Sequence, residues 1–128
     1  MWGDKGTPMS QSYRDLIAWQ KAMDMVEEVY RATKGFPSHE LYALTRQLHR
    51  CAISVPSNIA EGHSRFSQRD FRHFLRQSLG SLAEVETQLE LACRLGYIDV
   101  KELRPLLSHT DEVGRVLTGL INSLPVDD

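Results

Sequence analysis

One stretch in the middle of the chain repeats its apolar or small positions at alternating steps of four and three residues. These positions are Phe71, Leu75, Ser78, Leu82, Val85, Leu89 and Ala92. A mean step near 3.5 residues keeps one face of an α-helix against a partner helix, as in left-handed coiled coils. Ser67 is placed to cap such a helix at its start, and Gly96 to end it. The spacing predicts a helix of about 28 residues, roughly 42 Å long.

Three further segments have the same period. In the first, the apolar positions are Leu16, Trp19, Met23, Val26 and Tyr30, before the stop "KGFP". In the second, which opens on the possible N-cap Ser38, they are Leu41, Leu44, Leu48, Cys51, Val55 and Ile59. In the fourth, which opens on a capping box of Asp99 and Glu102, they are Leu103, Leu106, Thr110, Val113, Leu117, Leu120 and Leu124. Such patterns are typical of amphipathic helices.

The architecture follows from the short connections between these segments. Linkers of a few residues make consecutive helices antiparallel neighbours, and no strand pattern competes with the helical one. We therefore predict an all-α, antiparallel up-down-up-down four-helix bundle with left-handed coiled-coil-like packing. Residues 13–125 are predicted to form this single domain, and residues 1–12 a flexible N-terminal tail.

The composition excludes several classes of protein. With 41% hydrophobic and 25% charged residues, the chain has the balance of a globular domain. No apolar run approaches the roughly 20 residues that a membrane helix requires, and the N-terminus lacks an apolar signal core. Only Cys51 and Cys93 are present, and both fall within predicted helices, which suggests buried thiols rather than a disulfide framework. We expect a cytoplasmic protein that does not contact membranes.

The sequence "SVPSNIAEG" at the end of the second helix is unusual for a closing turn. Pro56 removes a backbone hydrogen bond near Ala52 and is expected to bend the helix, and Gly62 is placed to end it. Asn58 and Glu61 lie one turn apart and share a face. In a structural interpretation, Glu61 pairs with an arginine at position 69 or 72, and Asn58 bonds the backbone freed by the proline. In a functional interpretation, this corner belongs to a subunit contact or a ligand site.

The arginines are concentrated in the middle of the chain. Residues 41–83 carry six arginines against two acidic residues, and residues 84–128 carry nine acidic against four basic residues. Counted from the turn, Arg50 and Arg76 are each about a dozen residues away and are expected at similar heights. Together the six arginines predict a phosphate-binding patch. The alternative is a solvated face that pairs with Glu61, Asp70 or an acidic neighbouring subunit. The six residues are Arg46, Arg50, Arg65, Arg69, Arg72 and Arg76.

A second polar group is predicted between the two central helices. Gln47 and Ser81 are expected at one height on facing helices, where a side-chain hydrogen bond would fix the helix register. Glu84 belongs to the same group, and a role in a subunit contact is the alternative for it. Phe74 and Leu91 widen the apolar face of the third helix and are expected to be buried against another subunit.

Three quoted segments carry a resemblance to a known family. They are "DLIAWQKA" at 15–22, "GFPSHELYALTRQLHRCAISVPSNIAEGHSR" at 35–65 and "GSLAEVETQLELACRLGYI" at 80–98. The chain resembles the bacterial four-helix-bundle proteins encoded within intervening sequences of 23S ribosomal RNA genes, to which the accessory variability protein of diversity-generating retroelements is more distantly similar. The resemblance implies a homopentameric ring, binding of RNA or other nucleic acid, and no catalytic activity.

No enzyme signature accompanies these features. The chain lacks the paired Glu-x-x-His motifs of di-iron bundles, an i, i+4 histidine pair and a phosphate-cradling glycine loop. We therefore expect no catalytic residue, no metal and no cofactor. Two hypotheses stay open. The first is a non-enzymatic ring that binds RNA through arginine, and the second is a protein-interaction scaffold whose charged faces serve self-assembly and a protein partner.

Overall fold

The computed structural model of the chain describes residues 12–125, and within them all regular structure is helical. The four long helices are α1 (Ile17–Thr33), α2 (Leu44–His63), α3 (Gln68–Arg94) and α4 (Val100–Ser123). Single 3-10 turns at Tyr13–Asp15 and Ser38–Glu40 precede α1 and α2. The predicted tail lies outside the described residues, apart from Ser12, whose hydroxyl accepts a hydrogen bond from the Arg14 N–H.

The helices form an antiparallel bundle. Each helix packs against the next one along the chain, and α4 packs back against α1. Contacts between α2 and α3 run in opposite directions along the two helices, from Cys51 with Gln88 to Ser54 with Ser81. The up-down-up-down four-helix bundle is thus confirmed. We call the end with the α2–α3 turn, residues 64–67, the hairpin end of the bundle.

The core side of α3 is the one that the sequence predicts. Its buried residues are Phe71, Leu75, Ser78, Leu82, Val85, Leu89 and Ala92. The alternating steps of four and three place all of them on one face, which is the pattern that coiled-coil-like packing requires. In α4 four of the five buried residues, Leu106, Thr110, Val113 and Leu117, follow the predicted spacing. The fifth is Ile121, whereas the predicted Leu120 is only partly buried.

The predicted core face of α1 is wrong by about one position. The residues that α1 buries are Ala18, Ala22, Met25, Val29 and Thr33. Met23 and Tyr30 are instead exposed, and Trp19 and Val26 are half-buried against the edge of the core. Two alanines on the inner face let α1 lie close to its neighbours, so the larger side chains flank the core rather than fill it.

Two of the three predicted N-terminal helix caps are formed. Ser67 accepts a hydrogen bond from the Asp70 N–H, and the Asp99–Glu102 capping box is complete, as predicted. Ser38 does not cap α2, because that helix begins six residues later, at Leu44. The carboxylate of Glu40 performs part of this role and accepts a hydrogen bond from the Leu44 N–H at 3.3 Å. A 3-10 turn therefore intervenes where a direct helix start was expected.

Neither described cysteine forms a disulfide, and Cys51 is buried whereas Cys93 is half-buried. Within residues 12–125, no helix has the length and apolarity needed to cross a membrane.

Candidate nucleic-acid interface

The hairpin end is built by a short turn with a specific backbone conformation. Helix α2 ends at His63, and the Ser64 N–H still bonds the carbonyl of Ala60. Phe66 then takes a left-handed conformation with φ of 54°, which reverses the chain direction. Ser67 follows as the N-cap of α3. The turn is thus four residues long and fixes how α3 leaves the hairpin end.

The six predicted arginines fall into two groups. Arg46 and Arg50 lie on α2 and are exposed. The other four lie at or near the hairpin end, with Arg65 in the turn and the remaining three on α3. The Ser54–Ser81 contact sets the register of the two helices and puts Arg50 about nine positions, or roughly 13 Å, further along the bundle than Arg76. The expected similar height of these two residues is therefore wrong, because the register differs from a count outward from the turn.

Two of the hairpin-end arginines are held by their own protomer. Arg65 forms an ion pair with Glu61 at 2.8 Å, and its guanidinium lies 5.1 Å from the centre of the Phe74 ring. Arg72 donates a hydrogen bond to the carbonyl of Pro125 and so ties α3 to the end of α4. The predicted pairing of Glu61 with an arginine on α3 is wrong. Glu61 pairs instead with Arg65, which follows it by four residues in the sequence.

The remaining arginines are exposed and make no ion pair within residues 12–125. They are Arg46, Arg50, Arg69 and Arg76. Arg69 and Arg76 are separated by two turns of α3, or roughly 10 Å, and both lie away from the core face. Exposed guanidinium groups keep their fork of donors available for phosphate oxygens. Arg69 and Arg76 therefore present two guanidinium groups without an ion-pair partner among the described residues, on one helix near the hairpin end.

Three residues of the "SVPSNIAEG" stretch have structural surroundings in the α2–α3 hairpin, and Gly62 is the one of them that packs closely against α3. Gly62 does not end the helix, and a Cβ on it would lie 2.6 Å from the Cβ of Phe74, which is far inside contact distance. The side-chain amide of Asn58 donates a hydrogen bond to the Ser54 carbonyl at 2.8 Å, one turn earlier in α2. The acceptor expected from the sequence was the backbone near Ala52, two residues before Ser54. Pro56 is buried, and the helix continues through it. Asn58 and Glu61 are thus bonded within their own protomer, but to partners other than those predicted.

The second predicted polar group has a different partner set. Ser81 forms a hydrogen bond with Ser54, and Gln47 lies exposed about two turns away from that contact. The predicted Gln47–Ser81 hydrogen bond is therefore wrong, although a serine pair fixes the register at this level instead. Glu84 is exposed on the outer surface of α3. Burial is the main cause that raises the pKa of the Cys51 thiol, and the negative charge of Glu84 raises that pKa further.

Two open grooves flank α4. The larger, of about 620 Å³, lies between α3 and α4, with Ala83, Gly114 and Gly119 among its lining residues. The other, of about 400 Å³, lies between α1 and α4 and is lined mainly by charged side chains. In it, Lys21 pairs with Glu112 at 3.0 Å and lowers the pKa of that carboxyl, mainly through the hydrogen bond. Most of the charged side chains that line this second groove are thus paired with one another.

A cluster between α1 and α2 was not identified from the sequence. The ring of Tyr30 stacks on His49 at 3.8 Å between ring centres, and His49 Nε2 lies 2.8 Å from the hydroxyl of Thr33. Burial lowers the pKa of His49, which favours the neutral ring in this contact. The sequence pattern did not predict this cluster, because it placed Tyr30 on the core face of α1.

The described residues include no group of three or more histidine, cysteine, aspartate or glutamate side chains that could hold a metal ion. The Thr33–His49 contact pairs a hydroxyl with an imidazole, and the same hydroxyl lies 3.0 Å from the carbonyl of Tyr30. The contact links α1 to α2.

Comparison with known proteins gives a family and a fold. The model of the family described as 23S rRNA-intervening sequence protein matches residues 14–119. A crystal structure from Bacteroides thetaiotaomicron VPI-5482, described as a protein with unknown function from the S23 ribosomal protein family, is similar with a TM-score of 0.77. It shares 22% sequence identity and covers 84% of this chain and 96% of its own, so it supports the fold alone. No curated protein matches the chain.

Proposed function

The chain belongs to the family of 23S rRNA-intervening sequence proteins, and from this premise we propose that it is a non-enzymatic, cytoplasmic protein that binds RNA or other nucleic acid through arginine–phosphate contacts. We assign the principal contacts to Arg69 and Arg76 on α3, with Arg65 and Arg72 beside them. In line with the family resemblance, the proposal includes assembly into a homo-oligomeric ring, with five subunits.

The observation that carries this proposal is the pair of exposed, unpaired arginines Arg69 and Arg76. Phosphate contacts require guanidinium groups that are not already neutralised, because an arginine held in an ion pair must first give up that partner. Arg46 and Arg50 meet the same condition but lie further along the bundle on another helix. The two groups therefore act as separable surfaces.

The net charge sets the scale of the affinity. At a formal charge of −2, the whole chain does not attract a polyanion from a distance. Binding must come from the local field of a few arginines, so it is expected to be moderate and to weaken steeply with salt. Each phosphate contact contributes about 0.7 to 0.9 to the slope of log affinity against log salt concentration.

Fluorescence anisotropy with a labelled ribosomal RNA hairpin, measured over a salt series, tests the proposal. The variant Arg69→Gln/Arg76→Gln should lower the affinity and reduce the salt slope by about 1.4 to 1.8, as expected for two lost phosphate contacts. The control Arg46→Gln/Arg50→Gln removes two equally exposed charges from α2 and should change both quantities less. Equal losses in both variants would indicate non-specific attraction, and no loss in either would refute the proposal.

A second candidate function, the protein-interaction scaffold, is favoured by the exposed apolar side chains. These are Leu41, Tyr42, Leu95 and Val100 near the end opposite the hairpin end, and Ile53 and Leu91 on the outer faces of α2 and α3. A head-to-tail ring needs two complementary surfaces on each protomer. The arginine-rich and acid-rich halves of the chain would supply charge complementarity.

Light scattering separates the two candidates. If arginines serve assembly, replacement of Arg69, Arg72 and Arg76 by glutamate should reduce the mass of the particle, and there should be no RNA affinity to lose. If they serve RNA binding, the particle should keep its mass and lose its affinity.

A further inference from the structure

The proposed RNA contacts leave two exposed arginines of α2 without a role. Arg46 and Arg50 lie one turn apart on α2, and neither has an ion-pair partner within residues 12–125. A spacing of four residues places both on one side of the helix. Ile53 follows three residues after Arg50 on the same side and is also exposed. We call these three residues the α2 face; it combines two positive charges with an apolar side chain.

The outer side of α3 carries the opposite charge in its second half. Glu84 and Glu90 are exposed there, without an ion pair among the described residues. Leu91 lies two turns after Glu84 on the same side and is exposed. A shallow groove of about 350 Å³ runs along it, lined by Thr87, Glu90, Leu91 and Arg94. We call Glu84, Glu90 and Leu91 the α3 face; it combines two carboxylates with an apolar side chain.

The charges of the two faces lie at the same heights along the bundle. The two side-chain contacts that fix the register of α2 and α3 also define which of their positions are level. Counted from these contacts, Arg46 is level with Glu90, and Arg50 lies at a height between Glu84 and Glu90. Both faces nevertheless point outward from their own helices, and no ion pair joins them within the described protomer.

Exposed apolar side chains are level as well. Tyr42, just before α2, is 81% exposed, and at the same height α3 carries Leu95, which is 50% exposed. In a ring whose axis runs along the bundle, neighbouring subunits meet at equal heights, and each subunit offers a different surface to each neighbour. The α2 face of one copy can therefore meet the α3 face of the next with opposite charges in register and apolar groups beside them.

We propose that the α2 face of one copy binds the α3 face of the next copy, with Arg46 and Arg50 paired to Glu90 and Glu84. The proposal rests on the ring assembly proposed above and names the surfaces that form it. It gives the two groups of exposed arginines different tasks. The α2 group joins subunits, whereas the α3 arginines near the hairpin end stay open to RNA.

Charge reversal on each face, followed by light scattering of the full chain, tests the contact. Arg46→Glu/Arg50→Glu should lower the particle mass to that of one protomer, because like charges then face each other across the contact. Glu84→Arg/Glu90→Arg should do the same from the other side. All four side chains are exposed, so both variants should keep the helical circular dichroism spectrum of the unchanged protein.

Mixing the two reversed variants separates a contact between copies from pairing within one chain. Each variant has one native and one reversed face, and the two reversed faces are complementary to each other. The mixture should therefore regain a mass well above that of either variant alone. Pairing within a protomer predicts no recovery, because each variant then carries the mismatch in its own chain. Arg69→Glu/Arg76→Glu is the matched control on α3, and it should keep the particle mass.

Three outcomes would overturn the proposal. A particle mass unchanged in both reversed variants would exclude these faces as the contact, and so would a mixture that regains no mass. If the unchanged protein has the mass of one protomer, the ring assembly fails and the contact fails with it. The proposed RNA binding fails separately, if Arg69→Gln/Arg76→Gln keeps the particle mass and binds the RNA hairpin as well as the unchanged protein does.

Discussion

Gly62→Ala should destabilise the bundle, although alanine is the better helix former. The added Cβ would lie 2.6 Å from the Cβ of Phe74 and 3.2 Å from Cδ1 of Phe71, whereas carbon atoms in contact are about 3.5 to 4.0 Å apart. A Cβ is fixed to the backbone, so no rotamer change of Phe74 removes the first contact. Helices α2 and α3 would have to separate by about 1 Å at this level.

The size of the effect follows from two opposing contributions. Overpacking a well-filled site costs about 1 to 3 kcal/mol, and the upper part of this range applies where backbone must move. Replacing glycine by alanine within a helix returns about 1 kcal/mol. The net loss is about 2 kcal/mol, which corresponds to a fall in Tm of about 8 °C for a domain of this length. Thermal unfolding followed by circular dichroism at two protein concentrations measures it.

Gly119→Ala is the matched control. Gly119 also lies within a helix, but a Cβ on it would meet no atom within 4 Å. Only the helix-propensity gain remains, so Tm should rise by up to about 4 °C. Unchanged or raised Tm in Gly62→Ala would refute the close-packing argument. A lower Tm in Gly119→Ala would mean that something outside the protomer approaches α4 there.

Combining Gly62→Ala with Phe74→Ala distinguishes the contact of the Phe74 ring from that of the Phe74 Cβ. Phe74→Ala keeps the Cβ that causes the shortest contact, so it should rescue Gly62→Ala only slightly. Of the three atoms nearest to the added Cβ, alanine at position 74 removes only the Cγ of Phe74 at 3.3 Å. Full rescue would show that the phenyl ring, rather than the helix separation, limits the position.

Three further changes test other contacts. Ser67→Ala removes the N-cap of α3 and should lower Tm by about 4 °C, from a loss of about 1 kcal/mol, whereas Ser64→Ala in the same turn should change it little; equal effects would exclude a specific cap. Because burial lowers the pKa of His49, the unfolded chain takes up a proton first, and stability should fall as pH drops below about 6.5. His49→Gln should therefore lose less Tm than the unchanged protein between about pH 7.5 and 5.5, and an identical loss would assign the pH dependence elsewhere. Tyr97→Phe removes the hydrogen bond that most lowers the pKa of Glu40, so an NMR titration should show that pKa rising toward its ordinary value; an unshifted value would mean that the contact is not formed in solution.

The sequence predicts the buried face of a helix well where large apolar residues occupy most of that face. In α3 all seven predicted positions are buried, and five of them are large apolar residues, which place Ser78 and Ala92 on the same face. In α1 the buried face includes Ala18 and Ala22, whose burial depends on how closely a neighbouring helix approaches. A hydrophobicity pattern favours Trp19 and Tyr30 over these alanines. The face of α1 therefore depends on tertiary packing and could not be read from periodicity alone.

The register between helices is harder to predict than the helices themselves. Counting residues outward from a turn assumes that both helices of the hairpin leave the turn at the same height along the bundle. Here the turn is asymmetric, because Phe66 reverses the chain in a left-handed conformation and α3 starts only after Ser67. The resulting shift replaces the expected Gln47–Ser81 contact with Ser54–Ser81 and separates Arg50 from Arg76.

The rigidity of the same hairpin bears on the proposed binding of RNA by a small set of arginines. Gly62 brings α2 and α3 into close contact, and the Ser54–Ser81 pair and the bond from Ser78 to the carbonyl of Val55 fix their register. A site carried on two locked helices orders few groups when it binds, so most of the contact energy remains available as affinity. Because the chain as a whole carries a formal charge of −2, the proposed binding depends on this rigidity more than on long-range attraction. Under that proposal, loosening the hairpin at Gly62 should weaken RNA binding.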